Sequence, residues 1–469
     1  MIQTKPITLA LYFGNRGFFP AEVLESARAE MTRAVEEAGC RPLLMDASLT
    51  RYGGVETVDE GLKYAAFLKE HEGEYDGVVL CLPNFGDENG ALAAMRDAGV
   101  PILLQAYPDE IGKMDFDHRR DAFCGKFSIM DVFCQYGIPF TAFAPHVAHP
   151  NSPEFAQNLR DFAGVCRVVR GMKRFSIGAI GARTTAFKTV RYDELALQKA
   201  GITVDAFDLS DLFARMKKMA EDRPELVAKR EFFREYSNFT DVPAHKLDQL
   251  ARTTVAIEDM VAQYHLDTVA LRCWPEFQTE VGIAPCIVLG ALNECGIPAA
   301  CEMDVANAPA MYALSLASGE PAACLDWNNN YGNDPDKCIL FHCGPVPRSL
   351  MSPGGFVGNH KMHTKTGAPD CGWGTDEGRI APMDFTFCSG RTDNGKFYTY
   401  TGNGVFTDEC IEDGFFGCGG VAKIEGLQDK LIYIGKNGFR HHVCVTRGNV
   451  QRILDEAFNT YLHYDNKSF

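Results

Sequence analysis

Long apolar runs are missing from this chain of 469 residues. No stretch reaches the roughly 20 apolar residues that a helix needs to cross a bilayer. The first one, Ile7-Thr8-Leu9-Ala10-Leu11-Tyr12-Phe13 between Lys5 and Arg16, is too short for an export-signal core plus cleavage site. A cytoplasmic protein without a membrane partner is expected. Runs of Lys or Arg are missing too. With 46 basic against 62 acidic residues and a net charge of −16, nucleic acid is not an expected partner. Cysteine is plentiful, at 17 residues, but no Cys-x-x-Cys occurs. Cys81, Cys286, Cys301, Cys324 and Cys338 sit inside apolar runs. They read as reduced, buried thiols acting as small hydrophobes, not as a disulfide framework or a zinc-thiolate site. No phosphate or dinucleotide loop is present either. Gly414, Gly417, Gly419 and Gly420 follow no strand-to-helix pattern, and Gly181-Ala182-Arg183-Thr184-Thr185 fits no fingerprint.

What is present is a repeated junction. Gly99-Val100-Pro101, Gly137-Ile138-Pro139, Gly201-Ile202-Thr203 and Gly296-Ile297-Pro298 each precede an apolar run. Glycine supplies the left-handed residue that ends a helix, and proline keeps the helix from resuming. Helices alternating with strands imply parallel sheets in doubly wound α/β domains. We place the first at 1–172, with strands over 7–13, 42–45, 77–82, 102–105 and 140–143. The second is placed at 173–325, opening with the strand at 175–180. Past Asp326 turn residues thicken and short β-like pieces follow at 383–388, 396–400, 431–434 and 442–446. A β-rich, largely antiparallel C-terminal domain over 326–469 is expected, closed by a helix over 450–461.

Three apolar runs in the middle of the chain end on a metal-ligating residue type: Ile297–Cys301 on Glu302, Pro321–Leu325 on Asp326 and Cys338–Phe341 on His342. Such runs read as buried parallel strands, whose carboxyl ends face the ligand crevice of an open α/β sheet. Two carboxylates and an imidazole converging there predict a divalent metal site. Asp304 would share a strand face with Glu302, so either fits. From His441-His442 only one ring should reach the site if both lie in a strand. His360 and His363 fit as ligands, substrate contacts or surface residues. Carboxylate and imidazole without thiolate suit Mn²⁺, Mg²⁺ or Co²⁺, and mixed ligation with open positions favours Mn²⁺. Its binding should weaken below about pH 6.5, as imidazoles protonate.

With these residues in hand, the chain resembles the L-fucose isomerase/L-arabinose isomerase superfamily. The resemblance is carried by Cys273-Trp274-Pro275-Glu276-Phe277-Gln278, Gly282-Ile283-Ala284-Pro285-Cys286 and Gly296–Asp304. Asp326-Trp327-Asn328-Asn329-Asn330-Tyr331, Phe341-His342-Cys343-Gly344 and His441-His442 add to it. It implies two Rossmann-like domains, a β-rich C-terminal domain, and a homo-oligomer, trimer or hexamer, with sites at subunit contacts. It maps Mn²⁺ ligands onto Glu302, Asp326, His342 and His442. Asn15-Arg16-Gly17-Phe18-Phe19 resembles a segment that touches substrate in a neighbouring subunit. Trp274, Gln278 and His363 are assigned to the substrate with Arg16. The implied activity is aldose–ketose isomerisation of an open-chain sugar through a cis-enediolate, with Glu302 and Asp326 as paired acid and base. Fucose, arabinose and a 6-sulfo-sugar such as sulfoquinovose are the expected substrate types. A metal-dependent aldolase or lyase, or a sugar-binding protein without catalysis, are the alternatives.

Overall fold

The computed structural model describes residues 6–469, apart from the side chain of Thr366. Three sheets organise it. The first is wholly parallel and runs β2 (Arg41–Leu44), β1 (Thr8–Phe13), β3 (Gly77–Leu82), β4 (Ile102–Ala106). Its central strands are apolar throughout and buried on both faces, as helices packed above and below require. The expected strand over 140–143 is reduced to one bridge, Leu103 to Thr141. The second sheet, also parallel, runs β6 (Ile202–Phe207), β5 (Phe175–Ile180), β7 (Thr268–Leu271), β8 (Ala299–Ala300).

The third sheet is mostly antiparallel. Its nine strands are β9 (Ala322–Asn330), β10 (Lys337–His342), β11 (Phe356–Asn359), β12 (Trp373–Arg379), β13 (Met383–Asp393), β14 (Lys396–Phe406), β15 (Cys418–Lys423), β16 (His442–Arg447) and β17 (Asp465–Ser468). The order β15-β10-β9-β16-β13-β14 closes on itself, because Val405 and Phe406 of β14 pair with Lys423 and Ala422 of β15. A six-stranded barrel results, and closure removes the open edges. Its interior is filled by residues such as Leu325, Leu340, Phe385, Phe387, Tyr400 and Val443. The α/β class with two parallel sheets and a β-rich C-terminal region is therefore the observed one.

Two local expectations differ. Residues 431–434 belong to the helix Leu427–Lys436 rather than to a strand. Leu427 and Ile434 are buried and Leu431 packs beside them, a helical i, i+4, i+7 stripe that the short apolar run concealed. The runs ending at Asp326 and His342 are antiparallel barrel strands, and β9 continues past Asp326 to Asn330. Barrel strands covered on both faces give the same continuous apolar signature as parallel ones.

By contact density the chain forms two compact units. Among the described residues, one comprises 6–170 with Glu456–His463, and the other holds Gly171–Asp455 with Tyr464–Phe469. The second sheet and the barrel share the latter. In the former, the Tyr461 hydroxyl lies 2.8 Å from Thr141 Oγ1 and 3.3 Å from the Ile102 amide nitrogen. Among the described residues no helix is long and apolar enough to cross a membrane.

Candidate metal centre

Glu302 stands where β8 ends. The chain turns sharply through Cys301–Met303, and Glu302 and Met303 both hold left-handed backbone, φ +58° and +61°. Such conformations cost of order 1–3 kcal/mol each for non-glycine residues and persist where surrounding structure enforces them. The turn aims the Glu302 carboxylate at two donors: Trp274 Nε1 donates to Oε1 at 3.1 Å, and His442 Nε2 lies 3.1 Å from Oε2. From the barrel, Asp326 on β9 and His442 on β16 are direct cross-strand partners, so their side chains share one face. Asp326 Oδ1 lies 3.4 Å from His442 Nε2, is buried, and has no hydrogen-bond partner. Glu302, Asp326, His342 and His442 are thus brought together.

His442 is held from behind. Its Nδ1 donates to Asp304 Oδ2 at 2.8 Å. Asp304 is fully buried and itself takes Arg440 Nη1 and, at 2.8 Å, Asn307 Nδ2. Burial alone would push the Asp304 carboxyl up, but the Arg440 guanidinium and the His442 and Asn307 hydrogen bonds outweigh it and hold it low. Asp304 therefore orients the ring instead of facing the cavity. The strand spacing that made it equivalent to Glu302 fails because the chain is not extended there. Arg440 and Asn307 escaped the sequence reading. The Asp304-x-x-Asn307 spacing and a lone arginine beside two histidines were the signals available.

The electrostatics suit a cation. Burial opposes the charged form of Glu302, yet His442 and His342 with the Trp274 hydrogen bond bring its pKa down to about 2. Burial disfavours imidazolium at His442, but Asp304 and Glu302 raise its pKa well above the ordinary value. Two carboxylates so compete for one proton that a positive charge is wanted at Nε2. His342 differs. Its Nδ1 accepts the Cys343 backbone N–H at 2.8 Å, and Nε2 is buried without a partner. Burial lowers its pKa. His441 also reaches the centre, its Nε2 lying 3.7 Å from Asp326 Oδ1. It precedes β16, so strand alternation does not turn it away. Ligand atoms of Glu302, His342 and His442, and of Asp326, His441 and His442, form two groups compact enough for one ion. The unpartnered Asp326 oxygen, the second carboxylate and the back-braced imidazole fit a hard or borderline divalent cation.

The centre opens into a cavity of about 1020 Å³, of sugar-binding size. Trp274, Gln278 and His363 line it. Gln278 Nε2 donates to the carbonyls of Cys273 and Ile283 at 3.1 and 3.0 Å, leaving Oε1 buried and free to accept. His360 caps the helix Lys361–Thr366 through Nδ1, its ring 4.1 Å from that of His363. Burial, then His363, takes the His360 pKa down to about 3. Asn328, Asn329, Phe187 and Phe415 complete the lining used here. Arg16 belongs to the N-terminal unit, where its guanidinium lies 4.4 Å from the Phe85 ring centroid and 3.6 Å from Glu88.

Known proteins match the chain both at its first parallel sheet and over most of its barrel. Residues 10–173 match the fucose/sulfoquinovose isomerase N-terminal domain, and residues 340–468 match the L-fucose isomerase C-terminal domain. The chain belongs to the fucose-isomerase-like family. It is similar to sulfoquinovose isomerase of Alkalicoccus urumqiensis, 26% identical over 61% of this chain and 63% of that protein. The match therefore spans less than two thirds of that relative's length. Sulfoquinovose isomerase of Priestia aryabhattai is 24% identical over 72% of this chain and 74% of its own. A solute-binding protein from Actinobacillus succinogenes with bound D-allose aligns at 12% identity, covering 67% of this chain and 93% of that one. With a TM-score of 0.17, that likeness carries no argument.

Proposed function

We propose that this protein is a divalent-metal-dependent aldose–ketose isomerase, with Mn²⁺ as the cation and an open-chain sugar as substrate. The observation that carries it is the His442 ring, fixed by Asp304 at one nitrogen and facing Glu302 and Asp326 with the other.

Tautomers divide the two histidines. With Nδ1–H given to Asp304, His442 offers a lone pair at Nε2 once its extra proton leaves. A neutral His342 ring that accepts at Nδ1 carries its proton at Nε2. We therefore assign the cation to Glu302, Asp326 and His442, and make His342 a hydrogen-bond donor to a sugar oxygen. The sequence had counted His342 among the ligands. A divalent cation held by Glu302, Asp326 and His442 would supply Lewis acidity toward the sugar oxygens and so make the neighbouring C–H more acidic. Glu302 and Asp326 take the proton from one carbon and return it to the other. Gln278 Oε1 accepts from a hydroxyl, Trp274 holds Glu302 in place, and the aromatic walls exclude water. The homo-oligomer is part of the proposal. Phe18 is 70% exposed beside Arg16, in keeping with a segment that contributes to a neighbouring subunit's site.

The test is incubation of Mn²⁺-loaded protein with fucose, arabinose and sulfoquinovose in D₂O, followed by NMR. Ketose with deuterium at C1, and recovered aldose with deuterium at C2, is expected from at least one sugar. Glu302→Gln should lower kcat by roughly 10²–10⁴, about 3–5 kcal/mol of barrier. Cleaved products would support an aldolase instead. Binding without exchange on any sugar, with metal present, would return the protein to the receptor class.

A further inference from the structure

The cavity wall beside Glu302 carries two thiols that isomerisation leaves unused. Cys273 Sγ and Cys301 Sγ lie 3.4 Å apart. They are 5% and 1% exposed, and both line the cavity. They come from neighbouring parallel strands, Cys273 two residues beyond β7 and Cys301 directly after β8. Each is joined in sequence to a residue of the centre. Cys301 precedes Glu302, and Cys273 precedes Trp274, whose indole N–H holds Glu302 Oε1 at 3.1 Å.

We propose that Cys273 and Cys301 are a modification site, a dithiol that small peroxides close to a disulfide, displacing Glu302 and weakening cation binding. The consequence for turnover rests on the isomerase reading; the disulfide itself does not. Cys273, the more exposed sulfur, attacks one oxygen of the peroxide. An S–O bond forms, the O–O bond breaks, and water leaves with the thiol proton. Cys301 then attacks the sulfenic sulfur, the S–S bond forms, and the S–O bond breaks to release a second water. Two thiols lose two electrons and two protons, and hydrogen peroxide takes up both. Hydrogen peroxide is small enough to enter the cavity.

The displacement follows from geometry. An S–S bond is about 2.05 Å long, so the sulfurs must approach by more than 1 Å. Cys301 sits on the turn in which Glu302 and Met303 already hold left-handed backbone, so its movement is passed directly to Glu302. A misplacement of about 1 Å at a catalytic group is worth roughly 10²-fold in rate.

The experiment treats the full-length protein with hydrogen peroxide, blocks remaining thiols with N-ethylmaleimide and maps peptides by mass without reduction. The expected result is a Cys273–Cys301 linked peptide, weaker Mn²⁺ binding by electron paramagnetic resonance, and a loss of turnover of about 10²-fold that dithiothreitol restores. Cys273→Ser, or Cys301→Ser if the first does not fold, should give neither the link nor the restorable loss. Oxidation of the exposed Cys124, Cys134, Cys295 and Cys410 with no Cys273–Cys301 link would overturn the proposal, as would a link that leaves Mn²⁺ affinity unchanged. If no sugar is turned over, the link and the Mn²⁺ affinity still decide this question, and the isomerase reading alone falls.

Discussion

His342 and His442, with ring centroids 5.8 Å apart, have similar burial but different contacts at Nδ1, and the proposed division between ligand and donor rests on that difference. His442→Ala should lower Mn²⁺ affinity by roughly 10²-fold or more. His342→Gln should keep the metal and lose turnover, as metal analysis beside kinetics will show; equal loss of metal in both variants would refute the division of labour. The pH dependence follows from the same contacts. The metal-free protein holds a proton on His442, whose pKa is raised, and cation binding must expel it. Affinity therefore rises with pH up to that raised pKa and falls below it, while Glu302, held near 2, stays ionised. The window lies higher than the pH of about 6.5 that an ordinary imidazole gives. Calorimetry in buffers of different ionisation enthalpy should count one proton released per cation at neutral pH, and none would contradict the assignment. Glu302, Asp326 and His342 stood out in the sequence because an apolar stretch meets an abrupt polar residue at each, whereas His442 was singled out from the His441-His442 pair only through the family resemblance. Asp304 was not, since its role depends on a turn with two left-handed residues that no spacing rule anticipates.

Among the elements, the junctions at Gly99, Gly201 and Gly296 read correctly as helix ends before strands, because their cause is local backbone geometry, whereas at Gly137 the helix ends but only a single bridge follows. Barrel closure could not be read that way. It depends on β14 meeting β15 in space, and nothing in either strand's own pattern announces a partner. Local rules also failed at Leu427–Lys436, where three apolar residues serve a helix stripe and the intervening Ile432 is 54% exposed. One element joint is strict enough to test. Gly344 follows the His342-Cys343 end of β10 with φ +141°, and a Cβ there would come 2.5 Å from the Asp376 amide nitrogen of β12. Gly344→Ala should destabilise the protein by about 1–3 kcal/mol, seen as a lower melting temperature. An unchanged melt would show that the strand end can shift freely.

At the scale of the molecule, the helical residues near the C-terminus matter more than the sequence suggested. The expected closing helix is present as Gln451–Glu456 followed by a wider turn over Ala457–Leu462. Its second half belongs to the unit built from residues 6–170, whereas Tyr464–Phe469 returns to the other. The pattern of apolar residues shows that such a helix forms but not which sheet it serves. This arrangement has a consequence in time. A ribosome releases the first 170 residues long before it makes Tyr461, so the hydroxyl that meets Thr141 and Ile102 arrives well after the rest of that unit. Until then the N-terminal unit must wait with that part of its surface uncovered.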